Sequence, residues 1–210
     1  MPPVTDVVKN LIILNVLMFA GTYFGLEGQG IPLLALHYPA SEYFLPVQLV
    51  THMFMHGDLF HLLFNMYALY MFGTALESYW GPARFLKFYL ICGFGAIALH
   101  MGVWHWELSQ LPPEQFARAM QEPFMAVLGA SGAVFGLLAG YGTLFPDNRI
   151  GLLFPPIVLK AKYFVIIFAV IELSLGFSGA STGIAHFAHL GGALFGFLLV
   201  RYWQSGGNMI

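Results

Sequence analysis

The chain has little charge. Of its 210 residues only 9% are Asp, Glu, Lys or Arg, against about 25% in ordinary water-soluble domains. Eight basic and ten acidic side chains cannot cover a folded domain of this length with a hydrated surface. The same shortage excludes a disordered chain, a coiled coil and a nucleic-acid-binding surface. Cysteine is almost absent: Cys92 is the single one, which rules out an intrachain disulfide and any cysteine-based zinc site. No internal repeat or low-complexity tract occurs, and no convincing small-residue cleavage site follows the first apolar run. What abounds is apolar: 59% hydrophobic residues and 21 Phe, with a mean hydropathy of +0.75. That composition predicts an all-α polytopic membrane protein.

A bilayer-crossing helix needs roughly 20 mainly apolar residues. Six runs qualify, at about 7–26, 59–79, 84–104, 124–145, 161–177 and 184–203, within one domain over 1–210. Turn chemistry separates them: Gly81-Pro82, Pro112-Pro113, Pro146-Asp147-Asn148, Pro155-Pro156 and the Gly- and Ser-rich stretch from Gly176 to Gly183. With six spans, Lys9, Arg84, Lys87, Arg149, Lys160, Lys162 and Arg201 share one side, and only Arg118 falls on the other. The bias predicts that both termini are cytoplasmic. Trp80, Trp104, Trp106 and Trp203 lie at span ends, where an aromatic belt is expected. The loop over 27–58 is half-apolar, suited to the membrane interface, and the loop over 105–123 has room for a short helix.

Polar side chains inside such spans cost a few kcal/mol and point to function. His61 and Asn65 are four residues apart, on one helical face. They either glue helices together or donate hydrogen bonds into one small volume. His52 and His56 share that spacing, and their readings are structural or metal-binding. In the fourth run Gly132, Gly136 and Gly140 form a smooth stripe immediately after Ser131. Ser131 reads as a packing serine, an N-cap, or a nucleophile at a helix start whose free N–H groups face an oxyanion. The sixth run carries a matching stripe, Ala188, Gly192 and Gly196, so the two helices are expected to pack together. At about 100° per residue, His189 lies roughly 60° from Gly192 and His186 roughly 120°. His189 therefore faces nearer the seam, and His186 is expected toward solvent or a loop. Glu172, the only acid well inside a span, either orients the base or is neutral or hydrogen-bonded near the outer end. No aspartate is placed for a triad, so a serine–histidine dyad is the expectation.

Three stretches, HGDLFHLLFNMYALYMFGTALE (56–77), GASGAVFG (129–136) and AHLGGALFG (188–196), occur in an order that resembles the rhomboid family of intramembrane serine proteases. The likeness covers about 45–203, and with no flanking domain it resembles the minimal bacterial form. It implies Ser131 as nucleophile, His189 as general base, His61 and Asn65 on the oxyanion side, and Gly129 shaping the turn before the nucleophile. It also implies a fourth helix that begins deep in a water-filled cavity, with the fifth helix and the 178–183 loop as gate and cap. Substrates would be single-span membrane proteins held in the lipid bilayer, with no metal or other cofactor and no nucleic acid. Phe135 stands where some members have a tyrosine stacked on the histidine, and Val47-Gln48 where an aromatic or a Trp-Arg pair is frequent. The absence of an Arg-rich amphipathic leader favours a bacterial plasma membrane, with the active site open to the outer side. Other readings are an inactive rhomboid relative that binds membrane clients, and a small transporter or histidine-ligated haem protein.

Overall fold

The computed structural model describes residues 3–26, 30–151, 157–178 and 185–206. Its main helices are α1 (Asp6–Gly25, its last turn a π-helix), α2 (Leu59–Trp80, with a π-turn in the middle), α3 (Pro82–Ser109), α4 (Ser131–Leu144), α5 (Ala161–Phe177) and α6 (His186–Ser205). By length and composition, α1, α2 and α3 are long and apolar enough to cross a membrane. The helix α4, at 14 residues, is apolar but shorter.

Local chemistry sets the ends. Asp58 caps α2, its carboxylate accepting from the His61 N–H at 2.8 Å. Gly81, at φ 80°, turns the chain between α2 and α3, and Pro82 opens α3 where its missing N–H costs nothing. The N-terminus of α1 has no local side-chain cap. Glu77, from the far end of α2, supplies one: its buried carboxylate accepts from Thr5 Oγ1 at 2.5 Å, Val7 N at 3.0 Å and Val8 N at 2.9 Å. A negative group at a helix N-terminus also complements the helix dipole. Glu77→Ala strands those donors and is expected to cost about 1–3 kcal/mol, read as a lower melting temperature in detergent with α1 the first segment to gain protease sensitivity.

The core lies where α4 threads between α3 and α6. Gly132 and Gly136 meet Gly192 and Gly196 backbone to backbone, so that a Cβ on Gly192 would overlap the Gly132 carbonyl. The same two glycines of α4 also approach Ala96 and Cys92 of α3. Such contact forms through van der Waals packing of small residues. Outward, large apolar side chains are exposed, among them Phe24, Phe60, Phe64, Ile166 and Phe177. That is the surface of a membrane protein.

The structure corrects several sequence readings. The fourth apolar run spans 124–145, yet α4 begins only at Ser131, in keeping with the helix-start reading of that serine. Residues 126–127 form a strand (β2) paired antiparallel with Leu36–His37 (β1), and Gly129 at φ 126° breaks the chain before the helix. The third helix continues past 104 to Ser109, and a short helix, Pro113–Met120, follows. Trp104 is buried against Leu108 and Met120 in a small second core, not placed in a belt. Trp80 and Trp203 pack edge to face at 5.2 Å, and Arg84 lies 4.3 Å over the Trp203 ring. In the first loop, Gln48 is a fully buried hub. It accepts from the N–H groups of His37 and Leu45 and donates to the carbonyl of Tyr43 at 2.8 Å, holding the loop where the family often uses larger groups. Between α4 and α5, Arg149–Gly151 (β3) pairs with Val158–Lys160 (β4). Beside it Lys160 and Lys162 both grip Asp147 and hold its carboxyl below the usual range. Pro155-Pro156 and most of the 178–183 cap lie outside the described residues.

Candidate active site

Ser131 is the first residue of α4. Its N-cap is Ala130, which makes no side-chain cap, so the serine hydroxyl is not spent on capping. The first intrahelical bond of α4 runs from Val134 N to the Ala130 carbonyl. The N–H groups of Ser131, Gly132 and Ala133 therefore precede the ladder and cluster beside the serine. The glycine seam carries α6 across this end of α4, and His189 Nε2 lies 2.8 Å from Ser131 Oγ. Phe135, one turn along α4, stacks on the His189 ring at 4.3 Å and 5°. The stack fixes the plane of the imidazole.

Gly129 has two reasons to be glycine. Its φ of 126° is strained for any other residue. A Cβ there would also come within 2.9 Å of His61 Nε2 and 3.4 Å of Ser131 Oγ. Its N–H donates to the His52 carbonyl at 2.8 Å, tying the turn to the segment before α2. His61 thus borders the serine across a gap only a glycine leaves open. Asn65 lines the same space, but its Nδ2 donates to the His61 carbonyl at 2.8 Å, leaving one amide proton for the cavity. These side chains line a cavity of about 920 Å³, walled by α2, α4, α5 and α6, with Phe64 and Phe168 among its apolar lining.

His52 and His56 are both buried. The His52 Nδ1 bonds the Gln48 carbonyl at 2.7 Å, and His56 meets the His61 ring edge to face at 4.9 Å. Burial lowers both imidazoles to about 4 and keeps them neutral.

One sequence expectation needs correction at the other face of His189. His186 does not face solvent: it is buried, with Nδ1 2.6 Å from Glu172 Oε2. A carboxylate also lies beside His189. The same Glu172 oxygen lies 3.1 Å from His189 Nδ1, although the angle there is too poor for a well-formed hydrogen bond. Glu172 is buried and hydrogen-bonded near the end of α5, which both of its sequence readings allow. The signal was present in the sequence. The helices α5 and α6 are antiparallel neighbours on either side of a short break, so Glu172, a turn and a half from its end, and His189, one turn from its start, sit at similar depth. Ligand atoms of Glu172, His186 and His189, one from each, lie within 4.8 Å of one another, a donor set that zinc accepts. They have closed on each other, however. The 2.6 Å contact is a hydrogen-bond distance, shorter than the roughly 3.3 Å between two ligands of a tetrahedral zinc.

The Rhomboid domain family model matches residues 45–204. The chain belongs to the rhomboid family. Among its relatives, the human presenilin-associated rhomboid-like protein, mitochondrial, is 31% identical over 172 residues, covering 78% of this chain and 39% of that protein. Rhomboid protein 1, mitochondrial, of Saccharomyces cerevisiae is 30% identical over 156 residues, 74% of this chain and 41% of its own length. RHOMBOID-like protein 4 of Arabidopsis thaliana is 32% identical over 153 residues, covering 72% and 32%. The chain thus spans well under half the length of these rhomboid relatives. Two of the three are named as mitochondrial, and the expectation of a bacterial plasma membrane draws no support from them.

Proposed function

We propose that this rhomboid-family chain is an intramembrane serine endopeptidase that cuts single-span membrane proteins within or near their transmembrane segments. The observation that carries the reading is the 2.8 Å contact between Ser131 Oγ and His189 Nε2 at the wall of a large cavity. In acylation the Ser131 Oγ–H proton passes to His189 Nε2 while Oγ bonds the scissile carbonyl carbon. The oxyanion collects hydrogen bonds from the Ser131 N–H, His61 and Asn65, each worth roughly 3–4 kcal/mol of barrier by analogy with another serine protease. Collapse breaks the C–N bond, and the imidazolium returns its proton to the leaving amine. Water entering the cavity then repeats the sequence and frees the acyl group.

A peptide bond inside a helix is shielded, so a substrate must unwind locally to present its carbonyl. Segments with Gly, Pro or small polar residues near the outer end do so at lower cost. Entry between α2 and α5 fits this route. On the α2 side Phe60 and Phe64 are 73% and 72% exposed, an apolar flank for an arriving helix. The six-span arrangement with both termini on the basic, cytoplasmic side, and a cavity opening to the opposite face, belong to the same proposal. The testing experiment is cleavage in proteoliposomes of a fluorescent single-span protein bearing a Gly-rich segment. A defined internal cut is expected, abolished when that segment is replaced by Leu. Intact substrate in the presence of folded protein would favour the client-binding reading instead.

A further inference from the structure

We propose that Glu172 is a positioning residue for the general base, so that this site works as a Ser131–His189–Glu172 array with His186 as its anchor. The proposal rests on the serine-protease reading above and adds a member to it. To accept the serine proton at Nε2, the neutral His189 ring must carry its own proton on Nδ1. The atom facing Nδ1 is Glu172 Oε2, 3.1 Å away. Among the described residues Glu172 is the only carboxylate in ion-pair contact with a histidine. The same oxygen takes the shorter 2.6 Å bond from His186 Nδ1. One lone pair of Oε2 is therefore spent on holding the carboxylate in place, and the other is left for the base.

The arrangement has a cost that a packing role does not explain. A carboxylate buried at membrane depth is expensive unless it is paired, and a lone structural pair would need only His186. The poor angle at His189 fits a resting state. As the ring becomes imidazolium its Nδ1–H is drawn toward the carboxylate, so the interaction strengthens in the transition state, where it lowers the barrier. Phe135 confines the ring to its plane and leaves a small in-plane swing as the motion required. His61 from α2 and His100 from α3 also lie near the base, but neither supplies negative charge.

The test compares wild type with Glu172→Gln in proteoliposomes. Rates are divided by the number of serines that a fluorophosphonate labels at saturation, so unfolded protein does not count. The isosteric amide is expected to lower kcat per labelled serine about 10²–10³-fold, below the roughly 10⁴-fold seen when a well-aligned aspartate is neutralised in a triad. KM should change by less than about threefold, and the labelling rate should fall in parallel with kcat. His186→Ala should also lower kcat, but adding it to Glu172→Gln should bring little further loss, because it acts through the carboxylate. If Glu172→Gln does not fold, Glu172→Asp, whose carboxylate is one methylene short of Nδ1, carries the same expectation. Unchanged kcat per labelled serine, with only the melting temperature reduced, would overturn the proposal and make Glu172 structural. A wild type that neither labels nor cleaves would instead remove the serine-protease reading beneath it.

Discussion

Ser131→Ala is expected to abolish cleavage of a single-span substrate, with a loss of at least about 10⁴-fold in kcat, while the protein folds and binds as before. The size follows from what the hydroxyl does. It places an oxygen 2.8 Å from a histidine nitrogen that can take its proton, and without it no covalent intermediate forms. Removing a serine nucleophile or its base in another serine protease costs about 10⁶-fold, and the two losses do not add. His189→Ala should therefore resemble Ser131→Ala, and the double variant should be no worse than either. Stability should hardly change. The serine is not a cap, and its replacement leaves the glycine seam untouched. The measurement is the rate of product formation in proteoliposomes against thermal melting of the same samples. His61→Ala should lose less, about 10²-fold, because one oxyanion donor is removed and others remain.

The second large effect concerns folding. Gly192→Val is expected to leave little folded, active protein. The built Cβ of residue 192 overlaps the Gly132 carbonyl, and carbonyls in a helix backbone do not move aside as a flexible side chain can. To admit it, α6 must back away from α4. Overpacking of side chains costs about 1–3 kcal/mol, and a clash with backbone exceeds that range. The same separation draws His189 from Ser131, so the residual folded fraction should also lose activity. Gly102→Ala is the control. It is a helical glycine with nothing within 4 Å of its built Cβ, so alanine should be neutral or stabilising by up to about 1 kcal/mol. Normal melting and activity for Gly192→Val would show that the seam does not hold the two helices together.

Much of this was legible in the sequence because membrane proteins write their constraints plainly. Apolar runs mark helices, and glycines every four residues mark where two backbones touch. Those stripes and the angular offset of His189 from Gly192 pointed to the Ser131–His189 contact. Three things were legible only in part or not at all. A helix start at Ser131 is one reading of the serine, but the strand pairing between residues 36–37 and 126–127 just before it is a long-range contact with no local signature. Gln48 reads as an unremarkable polar residue, and its role as a hub emerges only once the loop closes around it. Glu172 reads either as a group that orients the base or as one that is neutral or hydrogen-bonded, and His186 as a residue facing solvent or a loop. That they meet each other beside His189 follows from the antiparallel placement of α5 and α6.

The central claim is that the hydroxyl of residue 131 is a nucleophile activated by the imidazole of residue 189. It is tested most directly by treating the reconstituted protein with a fluorophosphonate and locating the adduct by peptide mass spectrometry. A single phosphonyl group on Ser131, lost in His189→Ala and accompanied by loss of substrate cleavage, is the predicted result. Protein that cleaves its substrate with Ser131 unmodified by the reagent, or that cleaves equally well as Ser131→Ala, would contradict it.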